Sequence, residues 1–82
     1  MTMNQINIVK EVGVIEFLEK EITSLSERME LLKGFEVDES VKNDLASEYK
    51  RQISDFEMKK DIMVESLKAF YDYDYKVGVA NA

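Results

Sequence analysis

The chain has 82 residues, of which 45% are hydrophobic, and a formal net charge of −6 from 17 acidic and 11 basic side chains. It contains no cysteine, histidine, tryptophan or proline, which excludes disulfides, thiolate zinc sites and imidazole metal ligands. A domain this short buries only about 60% of its unfolded surface and is marginally stable alone. We therefore expect a partner chain to supply the missing stability.

The negative charge bears on the partners and the location of the chain. It should be repelled by nucleic acid and by anionic membranes, and it favours a partner protein with a basic surface. No stretch approaches the roughly 18 apolar residues that a membrane span needs, and the N-terminal residues do not have the pattern of a secretory signal. The sequence predicts a cytoplasmic protein with no direct contact to nucleic acid or membrane.

The first predicted element is a long helix over about residues 5–33. Apolar side chains recur at spacings that alternate between three and four residues, which is the a/d pattern of a coiled-coil heptad. They are Ile15, Leu18, Ile22, Leu25, Met29 and Leu32. Gly34 follows, and it suits a left-handed helix end because glycine adopts that conformation at little cost.

A short turn over residues 34–37 leads to a second predicted helix over about residues 38–73. Asp38 is a candidate N-cap, and the short turn implies that the two helices are antiparallel neighbours. The apolar positions of the second helix are Val41, Leu45, Tyr49, Ile53, Phe56, Met63, Leu67 and Phe70. The sequence therefore predicts a single all-α domain over 1–82, a long antiparallel helical hairpin of coiled-coil type.

One register of this hairpin pairs apolar residues in five layers. They are Ile8 with Phe70, Ile15 with Met63, Ile22 with Phe56, Leu25 with Ile53 and Met29 with Tyr49. The same register places Leu18 opposite Lys60 and Glu11 opposite Leu67, so two layers are imperfect. Glu21 and Lys59 would face each other beside the seam as an exposed ion pair.

Several apolar side chains fall outside the seam that two helices share. On the first helix, Val12, Val14 and Leu31 fall outside the strict a/d set. Together with them, four further residues widen the apolar surface beyond what a hairpin covers, and these are Phe17, Met58, Ile62 and Val64. We expect these four residues to mediate self-association, in a homodimer that forms a four-helix bundle. Two alternatives are that the C-terminal tail packs back on this surface, or that a foreign partner covers it.

The last predicted segment is an irregular or extended tail over residues 74–82. It follows and overlaps the sequence Tyr71-Asp72-Tyr73-Asp74-Tyr75, in which tyrosine and aspartate alternate. Tyrosine is enriched in binding hot spots, and the aspartates suit a basic surface, so these five residues are the candidate partner-binding patch. In the alternative interpretation, Tyr71 and Tyr73 close the open end of the bundle near Ile6 and Ile8.

The pattern offers no candidate catalytic, cofactor-binding or metal-binding residue. The serines and threonines lie on predicted helices among ordinary charged residues, without a recognisable base or strained turn. The sequence favours a small acidic interaction protein that binds a partner and modulates or inhibits it, and its composition is similar to that of phage or mobile-element accessory proteins. A homo-oligomeric structural or assembly element is the alternative, and an enzyme is the least favoured class.

Overall fold

The computed structural model describes residues 2–80, and the side chains of residues 2–78. Helix α1 spans Met3–Leu32 and helix α2 spans Glu39–Tyr71, and they are followed by strands β1 (Tyr73–Asp74) and β2 (Val79–Ala80). The helices pack against each other in a body 54 Å long and 18 Å wide. The predicted all-α class and helical hairpin are confirmed.

Helix α1 begins with a capping box. The Thr2 hydroxyl accepts a hydrogen bond from the Gln5 backbone N–H at 3.1 Å, and the Gln5 side-chain oxygen accepts one from the Thr2 N–H at 2.7 Å. Two N–H groups that a helix start leaves free are thereby satisfied. This is why the helix starts about two residues before the position that apolar periodicity indicated.

The end of α1 differs from the predicted left-handed glycine. Lys33 has right-handed helical angles, and Gly34 is not among the residues with positive φ. The backbone N–H groups of Lys33, Gly34 and Phe35 instead bond to carbonyls three residues earlier, at 3.1–3.3 Å. Such tightened bonds end a helix without inverting the chain, so the prediction for Gly34 was wrong. Asp38 is the N-cap of α2, but its side chain makes no capping hydrogen bond.

The left-handed helix end occurs at the other terminus of the hairpin. Asp72 has φ 52° and ψ 37°, and its N–H bonds to the Lys68 carbonyl at 3.1 Å. The chain then turns back as a small antiparallel hairpin in which Tyr73 pairs with Ala80. The last part of the predicted tail, residues 81–82, lies outside the described residues.

The core lies along the seam between the helices. Among the side chains of residues 2–78, five aliphatic ones are buried, and Ile15 and Leu67 have no exposed surface. The five are Ile15, Leu18, Leu25, Leu32 and Leu67. Heptad spacing continues to the start of α2, where Lys42 and Ala46 are half-buried. The Lys42 ammonium donates to the Lys33 carbonyl oxygen at 3.3 Å and ties the loop end together.

Three details of the predicted packing are wrong. Val41 and Leu45 are exposed, because unbroken heptad spacing turns Lys42 toward α1 in their place. The Ile8–Phe70 layer does not form, because Phe70 is 76% exposed, whereas its neighbour Tyr71 is half-buried.

The third detail is the ion pair beside the seam. Glu21 and Lys59 do not pair, and the Lys59 ammonium instead lies 5.6 Å from the centre of the Phe56 ring. Lys60, which was expected opposite Leu18, extends past that layer to place its Nζ 3.5 Å from Oε1 of Glu19. A lysine at a seam position can do this because its aliphatic stem packs while its charge reaches solvent.

Candidate interaction surfaces

The tail hairpin packs against one side of the helix pair. The Tyr75 hydroxyl donates a hydrogen bond to Oε1 of Glu19 at 3.0 Å, the same oxygen that Lys60 approaches. With Ile15 and Ile53 at heptad position a, Glu19 and Val64 both occupy position e. We call the side formed by positions b and e of both helices the tail flank.

Tyr75 is held in its neutral form. Burial raises the pKa of its hydroxyl above the ordinary 10.0, and the hydrogen bond to Glu19 and the negative charges of Glu19 and Glu16 act in the same direction. Burial disfavours the phenolate, and a nearby carboxylate repels it. The tyrosine therefore fastens the tail to α1 as a hydrogen-bond donor.

Asp74 builds the turn of the tail hairpin. Its Oδ1 accepts hydrogen bonds from the N–H groups of Lys76 at 3.0 Å and Val77 at 3.4 Å, and its carbonyl oxygen accepts one from Gly78 at 2.7 Å. Gly78 has φ 80°, which glycine adopts without steric cost. The Asp74 carboxylate thus satisfies the tail's own backbone.

A groove of mixed charge separates the tail from the helices. Acidic and lysine side chains alternate around it with two tyrosines and one valine. The lining residues are Glu19, Lys60, Asp61, Val64, Glu65, Lys68, Tyr73, Asp74, Tyr75 and Lys76. Four of these side chains are acidic and three are basic, so the groove has no strong preference for either sign of ligand.

The opposite side of the hairpin is uncovered and apolar. We call the side formed by heptad positions c and g of both helices the open face. It displays seven large apolar side chains that are 40–71% exposed. They are Met3, Val14, Phe17, Leu31, Val41, Leu45 and Ile62. Among the b and e positions of the two helices, which form the tail flank, only Val9 is a large apolar residue with comparable exposure, at 60%.

The open face has two apolar clusters along its length and a charged belt that lies mostly between them. Val14, Phe17 and Ile62 form one cluster, and Leu31, Val41 and Leu45 form the other. Phe17 and Leu31 are separated by about 21 Å at the rise of an α-helix. The charged side chains at c and g positions are Lys10, Glu21, Arg28, Glu48, Asp55 and Lys59. Three are basic and three acidic, so the face is neutral although the chain carries −6.

One part of the belt is an exposed ion-pair cluster. Arg51 bonds to Glu48 and, at 3.0 Å, to Asp55, and Gln52 donates to Glu48 at 3.0 Å. The hydrogen bond from Arg51, with a smaller one from Gln52, lowers the pKa of Glu48 from 4.5 to about 2. These residues are three and four positions apart on one helix, a spacing that stabilises helices locally.

The four predicted self-association residues do not share one surface. Phe17 and Ile62 lie on the open face, and Met58, which is 61% exposed, lies at its edge. Val64 is half-buried and lines the groove under the tail. Val14 and Leu31 are apolar residues that the sequence already places outside the seam, whereas sequence reasoning missed Val41 and Leu45 as members of the open face. Their c and g spacing was readable, but Val41 and Leu45 had been assigned to the seam.

The predicted partner-binding patch is divided by the fold. Tyr71, Tyr73, Asp74 and Tyr75 are half-buried, and Asp72 is exposed at the left-handed helix end. Tyr75 contacts Glu19 in the middle of α1, so the tail lies along the hairpin and not only across its open end.

Within residues 2–80, no group of three or more acidic side chains is arranged to hold a metal ion. In the same range, neither helix has a stretch that is both long and apolar enough to cross a membrane. No family model, curated protein or solved structure matches the chain.

Proposed function

We propose that this chain is a small acidic protein–protein interaction module that binds a partner protein with a basic surface and modulates or inhibits it. In this proposal it acts in the cytoplasm by binding and not by catalysis, as an accessory protein of a phage or mobile element. The observation that supports the proposal best is the uneven distribution of charge. The open face is neutral, so the whole net charge of −6 lies on the rest of the surface.

The distribution of charge favours a basic partner on the remaining surface. Three acidic and three basic side chains belong to the open face, which leaves 14 acidic and 8 basic side chains elsewhere. Such an excess steers a basic protein toward the acidic side and sets its orientation. The tail flank is a good candidate contact, because it combines exposed Asp72 with the half-buried Tyr73 and Tyr75.

A photo-crosslinking amino acid tests the proposal. It replaces Asp72 in one variant and Phe17 in another, and both sites are exposed, so neither change disturbs the core. We expect the variant at position 72 to form adducts with a distinct protein in cells, and we expect salt to weaken that complex in lysate. If neither position forms an adduct with another protein, the proposed partner binding is wrong.

A homo-oligomeric structural or assembly element is the second candidate function. The small core favours it, since only five side chains are buried among the described residues, and a second copy would add the apolar burial that a chain of this size needs. An assembly element would give adducts only between copies of itself in the same crosslinking experiment.

A further inference from the structure

The folded chain leaves more surface in solvent than a compact protein of its mass. Its accessible surface is 6134 Å² at 9.5 kDa, whereas a typical monomer of that mass exposes about 5000 Å². The excess is somewhat above the roughly 800 Å² that each partner buries in a stable interface of standard size. The open face is where large apolar side chains are concentrated within this excess.

The charge of the open face favours a second copy as its occupant. A chain of net charge −6 repels another copy over most of its surface. The open face is the exception, because its three acidic and three basic side chains cancel. Two copies can therefore meet there without the repulsion that would oppose contact between their acidic sides.

We propose that a second copy of this chain covers the open face in an antiparallel four-helix dimer, with α1 against α1 and α2 against α2. The inference rests on the proposed function only in treating the chain as an interaction module. It deepens that function by giving the two surfaces separate roles, the open face for dimerisation and the tail flank for a foreign partner. Val64 is outside the dimer contact, and Val14, Leu31, Val41 and Leu45 are inside it.

The heptad register along α2 supports the antiparallel orientation. In antiparallel helices a c position of one copy packs opposite a g position of the other, as a packs opposite d in an antiparallel coiled coil. One register sets Ile62 opposite Leu45 of the second copy, and Lys59 opposite Glu48 of the second copy. Two-fold symmetry repeats each pair, so the contact contains two apolar pairs and two pairs of opposite charge.

The register along α1 is compatible with the same orientation. It sets Leu31 opposite Val14 of the second copy, and Arg28 opposite Phe17 of the second copy, where a guanidinium can lie over the ring. No like charges face each other in these layers. A parallel dimer would instead place α1 of one copy over α2 of the other, where Glu21 is as near to Asp55 as to Lys59 and gains no net attraction.

Sedimentation equilibrium of the purified chain tests whether the dimer forms. We expect the mass of two chains at about 50 µM, and we expect Ile62→Ser to raise the dissociation constant at least about tenfold. Ile62 is 64% exposed, so this change leaves the monomer fold intact. Val9→Ser is the matched control, because Val9 is 60% exposed on the tail flank, and its dimer should be unaffected.

A pair of introduced cysteines tests the orientation, and the native chain has no cysteine to interfere. Leu45 and Ile62 are 17 residues apart on one helix, or about 25 Å, so they cannot form a disulfide within a chain. The double variant Leu45→Cys/Ile62→Cys should oxidise to a covalent dimer. Neither single variant should do so, because like positions lie far apart in an antiparallel pair.

A monomer at about 50 µM, a dimer that Ile62→Ser leaves unchanged, or single cysteine variants that crosslink as well as the double one would overturn the inference. These results are distinguishable from failure of the proposed function. A purified monomer whose Asp72 variant still forms adducts with a distinct protein in cells would refute the dimer and leave partner binding intact. A purified dimer whose Asp72 and Phe17 variants form no adduct with a different protein in cells would refute partner binding and leave the dimer intact.

Discussion

Leu67 has an unusual position in the small core. It is the one side chain of α2 with less than a tenth of its surface exposed, and it has no exposed surface at all, whereas the other four buried residues come from α1. Burial of a leucine side chain stabilises a fold by about 1.5–3 kcal/mol. In a domain with so few buried residues, a single one contributes a large share of the free energy of unfolding.

Replacement of Leu67 by alanine should therefore be severe. We expect Leu67→Ala to lower the free energy of unfolding by about 2–5 kcal/mol, through lost burial and the cavity left behind. Val9→Ala at a site 60% exposed should change it by less than about 0.5 kcal/mol. Urea denaturation followed by circular dichroism measures both, and equal losses in the two variants would contradict the assigned core.

Tyr75 should make the stability of the tail depend on alkaline pH. The pKa of its hydroxyl is raised in the folded state from 10.0, so the neutral form is the one that the fold favours. The corresponding stability is fully present below pH 10 and is lost as the pH rises through the folded pKa. Above that pH the phenolate and Glu19 repel each other.

A spectrophotometric titration of tyrosinate checks this expectation. The wild-type chain should show a tyrosine that ionises above pH 10, Glu19→Gln should lower the pKa of that group, and Tyr75→Phe should remove the step. Equal titration curves for the wild type and Glu19→Gln would show that the hydrogen bond between Tyr75 and Glu19 does not form in solution.

At the scale of elements, some of the local interactions that set the helix ends can be read from the sequence and others cannot. The capping box of Thr2 and Gln5 is readable as Thr-x-x-Gln in the sequence, so the true start of α1 could have been predicted. The end of α1 could not, since Gly34 permits a left-handed end but does not require one. The left-handed residue is Asp72, whose type tolerates that conformation better than most.

Gly13 is a weak point in the interior of α1. Apart from its chain neighbours and the backbone of its own helix, a methyl group at this position would meet no atom within 4 Å. Alanine favours a helix interior over glycine by about 0.8–1 kcal/mol. We expect Gly13→Ala to raise the free energy of unfolding by about that amount. Gly78→Ala is the contrasting control, because φ 80° there should make alanine destabilising. Thermal unfolding of both variants measures the difference, and a destabilising Gly13→Ala would contradict the exposed helical site.

At the scale of the whole molecule, the chain is a rod. Its radius of gyration is 17.0 Å, compared with about 12 Å for a compact domain of the same length. A rod two helices thick has no interior away from its seam, so each added apolar side chain must lie near a surface. The open face follows from this shape as much as from the sequence.

A dimer would couple stability to concentration. If the second copy binds only the folded chain, mass action raises the unfolding temperature as the protein concentration increases. We expect this rise in wild-type protein and its loss in Ile62→Ser, and differential scanning calorimetry over a hundredfold range of concentration measures it. An unfolding temperature that does not vary with concentration would contradict a dimer linked to folding.

The sequence was sufficient for the helices and most of the seam, because a heptad repeat states directly which residues share a face. It was insufficient for Val41 and Leu45, since apolar side chains on adjacent stripes compete for the seam. Lys42 takes the seam position instead, and its ammonium donates to the Lys33 carbonyl oxygen. The contact between Tyr75 and Glu19 spans 56 positions, and no local pattern encodes it.

The position of the tail hairpin on one flank has a consequence for assembly size. A rod that self-associates through two opposite sides adds copies without limit, because each added copy leaves one self-associating side uncovered. The result is a fibre. With Tyr73 and Tyr75 packed on one flank, the open face would be the single side that binds another copy, and the proposed pairing would cover it. In the proposed dimer, the small C-terminal hairpin would therefore limit the assembly to two copies.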